Sequence, residues 1–335
     1  MVVGSEWDPD ATVILHHGET LDLLRTLPDA SAQLVITSPP YNLAKAYERR
    51  RSTDEYVAEQ ATVIGECVRL LRPGGSLCWQ VGNHVSEGSI LPLDILLYPT
   101  FAAHGELVLR NRIVWHFEHG LHCSRRLSGR YEVILWFTKG DTYRFDLDPI
   151  RVPQKYPGKR AWKGPRAGEY TGHPLGKNPG DVWIFPNVKA NHVEKTVHPC
   201  QFPVELVERF ILSTTQPGDL VLDPFMGVGT TACAAVLHGR RAAGAECVPR
   251  YVEIARERIR LASEGTLRTR PRQRPVHEPD RNSALARRDP DAPRTRVVRS
   301  ARTPAQGLRI SSEALGRLTG PASATKTSVS RARVD

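Results

Sequence analysis

An α/β fold built on an open sheet is predicted by three observations in this 335-residue chain. Short apolar runs that read as strands alternate with segments whose apolar residues keep helical spacing. A glycine-rich loop at 223–231 lies between such a strand and such a helix, and a carboxylate, Glu246, follows the next strand. A polar turn, Thr37-Ser38-Pro39-Pro40-Tyr41-Asn42, follows the apolar run Leu34-Val35-Ile36. Open α/β sheets bind ligands at such carboxyl ends of strands.

Taken in order, residues 12–16 alternate enough for a short strand, and His17-Gly18-Glu19 turns out of it. Leu21, Leu23, Leu24 and Leu27 line a helical turn that Pro28 closes. Strand 33–37 then delivers the polar turn. Asp54 begins a helix whose Val57, Ala61, Ile64, Val68 and Leu71 keep helical spacing. Arg72-Pro73-Gly74-Gly75 stops it, and 76–81 reads as a buried strand. Residues 92–103 read as a helix, and 107–115 and 131–138 as two longer strands. From about Tyr143 the texture changes. Between Arg144 and Lys195 there are ten basic and five acidic residues, with Tyr156, Trp162, Tyr170 and Trp183 interspersed and few apolar runs. Basic residues interleaved with aromatics suit nucleic acid; the alternative is an ordinary long surface excursion. Regular structure resumes with helix 203–213, which carries Val204, Val207, Phe210 and Ile211 on one side. Strand 219–222, the glycine loop, a helix to about His238, strand 241–245 and helix 249–261 complete the folded part.

Composition narrows the function. Forty per cent hydrophobic residues are ample for a core. The six cysteines show no C-x-x-C and no paired spacing, so neither zinc nor a disulfide framework is signalled; they read as mostly buried free thiols of a reducing compartment. The N-terminus does not resemble a signal peptide, and no apolar run reaches membrane-spanning length, so a cytoplasmic protein without a membrane partner is expected. Of the net charge of +10, residues 263–335 carry most, with sixteen Lys and Arg against seven Asp and Glu. That stretch lacks apolar periodicity and reads as a basic disordered tail, either attracted to nucleic acid in a salt-sensitive way or simply solvated.

Two segments carry chemistry. The paired prolines fix their own φ and bias the residues before them away from helix. Carbonyls in such a turn lack ladder partners, so together with the Ser38 hydroxyl they offer acceptors, and Tyr41 offers a ring face, to a planar heterocycle bearing an exocyclic amine. In the second segment, glycines let the backbone approach a ligand, and Glu246, 19 positions beyond Gly227, sits where a carboxylate binds ribose hydroxyls. No lysine follows the second glycine, which excludes a phosphate-cradling P-loop. A dinucleotide would suit the loop nearly as well, but its late position in the chain argues against a nicotinamide enzyme.

I-T-S-P-P-Y at 36–41 together with D-P-F-M-G-V-G-T-T at 223–231 resembles the β-class amino-group DNA methyltransferases that use S-adenosylmethionine. L-R-P-G-G at 71–75, H-P-x-x-F-P at 198–203 and G-A-E-C at 244–247 agree with it, and the likeness covers about residues 11–262. The resemblance implies a Rossmann-like methyltransferase fold: a mixed, mostly parallel seven-stranded sheet with helices on both faces and a circularly permuted motif order. The catalytic half would be 1–143, an inserted target-recognition region 144–197, the cofactor half 198–262, and the tail 263–335. It further implies a catalytic turn of Ser38, Pro39, Pro40 and Tyr41. Asp223, Pro224, Phe225, Gly227, Gly229 and Thr230 would wrap the cofactor, Glu246 would hold its ribose, and His198, Pro199 and Phe202 would complete the pocket. Glu19 stands where the family has an aspartate that touches the adenine amine.

The activity implied is transfer of a methyl group from S-adenosylmethionine to the N4 amine of cytosine in double-stranded DNA, with the base flipped out of the duplex and no covalent enzyme intermediate. S-P-P-Y resembles the N4-cytosine enzymes, whereas D-P-P-Y is more usual for N6-adenine, which remains the alternative. A non-catalytic DNA-binding module of the same fold is a further one. Pro199-Cys200-Gln201 spells the nucleophile motif of carbon-5 cytosine methyltransferases, but it precedes the cofactor loop instead of following it. The implied partners are duplex DNA and, if the enzyme is not solitary, a cognate restriction endonuclease; the chain would act as a monomer or homodimer, and no metal is implied.

Overall fold

The computed structural model describes residues 2–42, 51–86, 89–117, 120, 122–189, 191–272 and 274–276. The chain runs through β1 (Val3–Gly4), β2 (Val13–His17), α1 (Thr20–Thr26), β3 (Ala32–Thr37), α2 (Thr53–Leu70), β4 (Leu71–Val81), a hairpin of β5 (Asn83–Ser86) and β6 (Ser89–Pro92), α3 (Leu93–Ala102), β7 (Leu107–His116) and β8 (Tyr131–Lys139). A single 3-10 turn at Asp148–Ile150 and β9 (Val182–Ile184) follow. Then come α4 (Val204–Thr214), β10 (Leu220–Asp223), α5 (Thr230–Leu237), β11 (Arg241–Glu246) and α6 (Pro249–Ser263).

One sheet runs in the order β1-β2-β11-β10-β3-β4-β8-β7-β9. Every pairing in it is parallel except those of β8 with β4 and β7. The seven strands from β2 to β7 are the sheet the sequence predicts. The structure adds a two-residue and a three-residue strand at its edges, pieces too short to leave a periodic signal. Because successive side chains alternate across a strand, the sheet fills two cores. Val13, Leu15, Leu34, Ile36, Cys78 and Val221 face α4, α5 and α6, meeting Val207, Phe210, Ala235, Val252 and Ile259. Ile14, Val35, Leu77, Trp79 and Leu222 face α1, α2 and α3, meeting Leu24, Ile64, Cys67, Leu97 and Phe101. Strands covered on both faces read as continuous apolar runs, as Leu34-Val35-Ile36 does.

Two local predictions shift. A capping box starts α2, with the Glu55 amide donating to Ser52 Oγ at 3.2 Å and the Ser52 amide donating to Glu55 Oε2 at 2.9 Å. Its buried residues are Tyr56, Gln60, Val63, Ile64, Cys67, Val68 and Leu70, so the predicted Ile64 and Val68 face the core, while Val57 and Ala61 are only half-buried. The helix is rotated toward Tyr56, whose hydroxyl donates to the Pro40 carbonyl at 3.1 Å. The helix ends at Leu70, before Arg72-Pro73-Gly74-Gly75, which lies inside β4, and the pairing with β3 jumps from Ala32↔Leu71 to Leu34↔Ser76 across it.

The basic segment from about Tyr143 is tied to the body. The Asp146 amide donates to the Ser213 carbonyl at 2.7 Å, β9 pairs with β7, and Trp183 and Phe185 join the core beneath α4. The departure from the body expected at residue 263 does not occur there. Leu267 packs on the core, and Arg270, 8% exposed, sends its guanidinium to Glu205 Oε1 and Oε2 at 2.6 and 2.9 Å. Its amide donates to Glu194 Oε1 at 3.0 Å, while Glu194 Oε2 accepts the amide of Val204 at the start of α4. The remainder of the expected tail, 277–335, lies outside the described residues. Cys67, Cys78 and Cys233 are buried, but Cys200 and Cys247 are exposed, contrary to the reading of the cysteines as mostly buried. Among the described residues no helix is long and apolar enough to cross a membrane.

Candidate active site

The polar turn leaves the carboxyl end of β3 as predicted. Thr37 and Pro39 are buried, and Asn42 closes the turn in the left-handed region at φ 57°. The Asn42 side chain grips the Arg51 backbone at both ends, accepting from its amide at 2.8 Å and donating to its carbonyl at 2.9 Å. Ser38 Oγ lies 3.0 Å from Tyr41 Oη, which donates to Glu132 Oε2 at 3.1 Å. Gln80 Nε2 donates to the same carboxylate oxygen at 2.7 Å. Burial foremost, and then the Glu132 charge, holds the Tyr41 phenol well above its ordinary value, so it remains a proton donor. Gly82 passes against the ring, where an added Cβ would stand 3.1 Å from Tyr41 Cε2.

The glycine loop opens where β10 ends, on Asp223. This carboxylate is fully buried and takes three donors: Thr37 Oγ1 at 2.7 Å and the Phe225 amide at 3.2 Å on Oδ1, and Thr231 Oγ1 at 2.6 Å on Oδ2. Burial nevertheless raises its pKa to about 6. Gly229, at φ 74°, forms the N-terminus of α5 without a side-chain cap, and an added Cβ would lie 3.0 Å from Ala255 on α6. Opposite Asp223 in register is Gly244, where any side chain would overlap the Asp223 carbonyl and Met226. Arg258, buried on α6, supports the loop by donating to the Val228 carbonyl at 2.6 Å and Thr230 Oγ1 at 3.1 Å.

Glu246 ends β11 half-buried, its Oε1 accepting the Val248 amide at 2.7 Å, and burial raises its pKa. The turn containing Glu19 is drawn to the same place: the Gly18 amide donates to the Glu246 carbonyl at 3.1 Å, and Thr20 Oγ1 donates to the Pro224 carbonyl at 2.6 Å. The Glu19 side chain is exposed and makes no cap bond to α1. His198 stands over Gly227, with Nε2 3.5 Å from the position of a Cβ there, and its ring packs edge-on against Tyr251 at 4.6 Å. Phe202 is buried in the core, Pro199 is exposed, and Phe225 turns its ring edge to Trp79. Cys200 lies within electrostatic reach of both Tyr41 and Tyr251.

Turn, loop and H-P-x-x-F-P element thus meet at one end of the sheet. Sequence reasoning missed Gln80, Glu132, Tyr56, Tyr251 and Arg258, which reach the site from other elements with no motif around them. Beyond it, the basic segment folds back through antiparallel bridges Val152↔Lys177 and Arg160↔Tyr170. Trp162 is 94% exposed there, and Arg160 covers the Tyr170 ring at 3.9 Å.

Residues 32–257 match the family described as DNA methylase. The chain is 52% identical over 242 residues to the type II methyltransferase M.BglII of Bacillus subtilis, covering 72% of this chain and 67% of that protein. Its fold is similar to the solved structure of PvuII DNA methyltransferase (cytosine-N4-specific), with a TM-score of 0.60 at 22% identity over 76% of this chain and 92% of that one. It is also similar to a DNA modification methylase of Thermus thermophilus, solved with S-adenosyl-L-methionine, with a TM-score of 0.54 at 30% identity over 75% of this chain and 94% of that one.

Proposed function

Because this chain belongs to the DNA methylase family and takes its methyl group from S-adenosylmethionine, we propose that its target is the N4 amine of cytosine in duplex DNA. The observation that carries this reading is the Ser38-Pro39-Pro40-Tyr41 turn joined to the glycine loop through the Thr37–Asp223 hydrogen bond. That bond supports a reading in which amine acceptors stand beside groups suited to an adenosyl amino acid.

The residues present fit that cofactor. Asp223 and Glu246 put two carboxylates at the ends of adjacent parallel strands, and the uncapped start of α5 and the bare backbone of Gly227 lie between them. Asp223, Pro224, Phe225, Gly227, Gly229 and Thr230 would surround its methionine part. Glu246 would accept from the ribose hydroxyls, with Glu19 at the adenine edge and His198, Pro199 and Phe202 closing the pocket. When bound, the cofactor supplies an electrophilic methyl group on a positively charged sulfur. An exocyclic amine is a poor nucleophile because its lone pair is delocalised into the ring. Ser38 and the Pro39 carbonyl accept hydrogen bonds from the amine and so favour a tetrahedral nitrogen that can attack, an interaction strongest at the transition state. The Tyr41 ring borders a base flipped out of the helix. The segment 144–197, with Trp162, Tyr156 and Tyr170 among basic residues, reads the DNA, and a companion endonuclease would cut the same sequence unmethylated.

Incubation with S-adenosylmethionine and mixed-sequence duplex DNA, followed by digestion to nucleosides and mass spectrometry, tests the reading. N4-methylcytosine is expected. N6-methyladenine would move the target to the other amine, 5-methylcytosine would turn attention to the exposed Cys200, and no product at all would favour a silent DNA-binding module.

A further inference from the structure

Glu132 belongs to no motif, yet a chain of hydrogen bonds reaches it from the reacting turn. Its Oε2 takes the Tyr41 phenol and the Gln80 amide together. An amide nitrogen can only donate, so this oxygen is an acceptor. Tyr41 has one proton and places it on Glu132. Between Ser38 Oγ and Tyr41 Oη, 3.0 Å apart, the donor must therefore be Ser38. The serine hydrogen is committed away from the cleft, and what Ser38 offers a ligand is lone pairs.

We propose that Glu132 is the terminal proton acceptor of methyl transfer, reached from the target amine through Ser38 and Tyr41. As the amine nitrogen forms its bond to the methyl carbon, the carbon–sulfur bonding pair stays on sulfur, and the nitrogen becomes cationic and acidic. Its proton passes to Ser38 Oγ while the serine hydrogen moves to Tyr41 Oη and the phenolic hydrogen moves to Glu132 Oε2. Amine, sulfonium and carboxylate become methylamine, thioether and carboxylic acid, and neither Ser38 nor Tyr41 holds charge afterwards. Glu132 touches no substrate atom; it is a positioning residue that fixes the direction of the chain and receives its proton. Gln80 holds the carboxylate in place. Among the described residues, other titratable groups near Tyr41 include Cys200 and His84, whose Nδ1 lies 3.3 Å from the Tyr41 carbonyl oxygen.

This inference rests on the proposed amine methylation, and the test separates the two. Single-turnover methyl transfer is measured for wild type, Glu132→Gln, Tyr41→Phe and the double variant, alongside cofactor and DNA dissociation constants. Glu132→Gln keeps a hydrogen-bond acceptor but loses the base, so the rate constant is expected to fall by about 10²-fold, with both dissociation constants within about twofold. Tyr41→Phe should fall similarly, and the double variant should be no slower than the worse single one, because both cut one path. Glu132→Asp should recover part of the loss. In protein without cofactor, the fluorine resonance of 3-fluorotyrosine at position 41 should titrate at lower pH in Glu132→Gln, because the neighbouring charge is gone. A Glu132→Gln protein as fast as wild type, additive losses, or a loss confined to binding overturns the relay. If Glu132→Gln does not fold, Tyr41→Phe, which keeps the ring volume, decides the matter on its own. A wild-type enzyme that methylates no DNA amine defeats the functional reading and the relay together, whereas an active wild type with an equally fast Glu132→Gln defeats the relay alone.

Discussion

Thr37 donates its hydroxyl proton to Asp223 Oδ1 at 2.7 Å although 186 residues separate them in the chain. Thr37 is the last residue of β3 and Asp223 the last of β10, and these strands are sheet neighbours. The bond therefore sets the Ser38–Tyr41 turn against the glycine loop, between two fully buried side chains. Thr37→Val keeps the side-chain shape and leaves a buried carboxylate short of one donor. A loss of about 1.5–3 kcal/mol is expected, read from denaturant unfolding midpoints.

The proposed roles divide across that bond. Ser38→Ala and Tyr41→Ala are expected to abolish methyl transfer while cofactor affinity, measured calorimetrically, is unchanged. Asp223→Ala should weaken cofactor binding itself. Equal loss of both properties in all three variants would show that the roles are wrongly divided.

The pH dependence of Asp223 has a defined sign. Its ordinary value is 3.8 and its folded value about 6, raised by burial. Between these values the folded protein keeps a proton that the unfolded chain has released, so unfolding releases a proton. The stabilisation is fully present below 3.8 and is lost as pH rises through about 6, by about 3 kcal/mol in all. Asp223→Asn cannot titrate. The unfolding free energy of wild type relative to Asp223→Asn should therefore fall between about pH 4 and 6 and level off above about 6.5; a constant difference would refute it.

Gly244 has no room for a methyl group between the Asp223 carbonyl and Met226. Gly244→Ala should displace the loop, lowering cofactor affinity by at least about tenfold with a stability loss of about 1–3 kcal/mol. Binding titration and thermal melting check the two parts separately.

Arg270 compensates Glu205 and anchors Glu194, both buried. Arg270→Ala would leave Glu205, whose carboxyl burial raises to about 7 even beside the guanidinium, protonated and without its partner, at an expected cost of about 1–3 kcal/mol. It would also loosen the start of α4, just after the H-P-x-x-F-P element. Arg270→Met with Glu205→Leu should recover much of the stability, because an apolar pair needs no compensating charge.

Much of this protein is legible in its sequence because the signals are local. Short apolar runs made β2, β3, β4, β10 and β11 recognisable, prolines dictated the turn at Ser38, and a strand, glycines and a following carboxylate marked Asp223 and Glu246. Each depends on neighbours a few residues away, which spacing records. What only the tertiary structure decided is what meets those segments. Glu132 reaches Tyr41 across 91 residues, Thr37 reaches Asp223 across 186, and Arg270 reaches Glu205 across 65. A glutamate at the start of a strand looks the same in sequence whether it faces solvent or a phenol. The strand order brings Glu132 to Tyr41, and burial is what makes that contact strong.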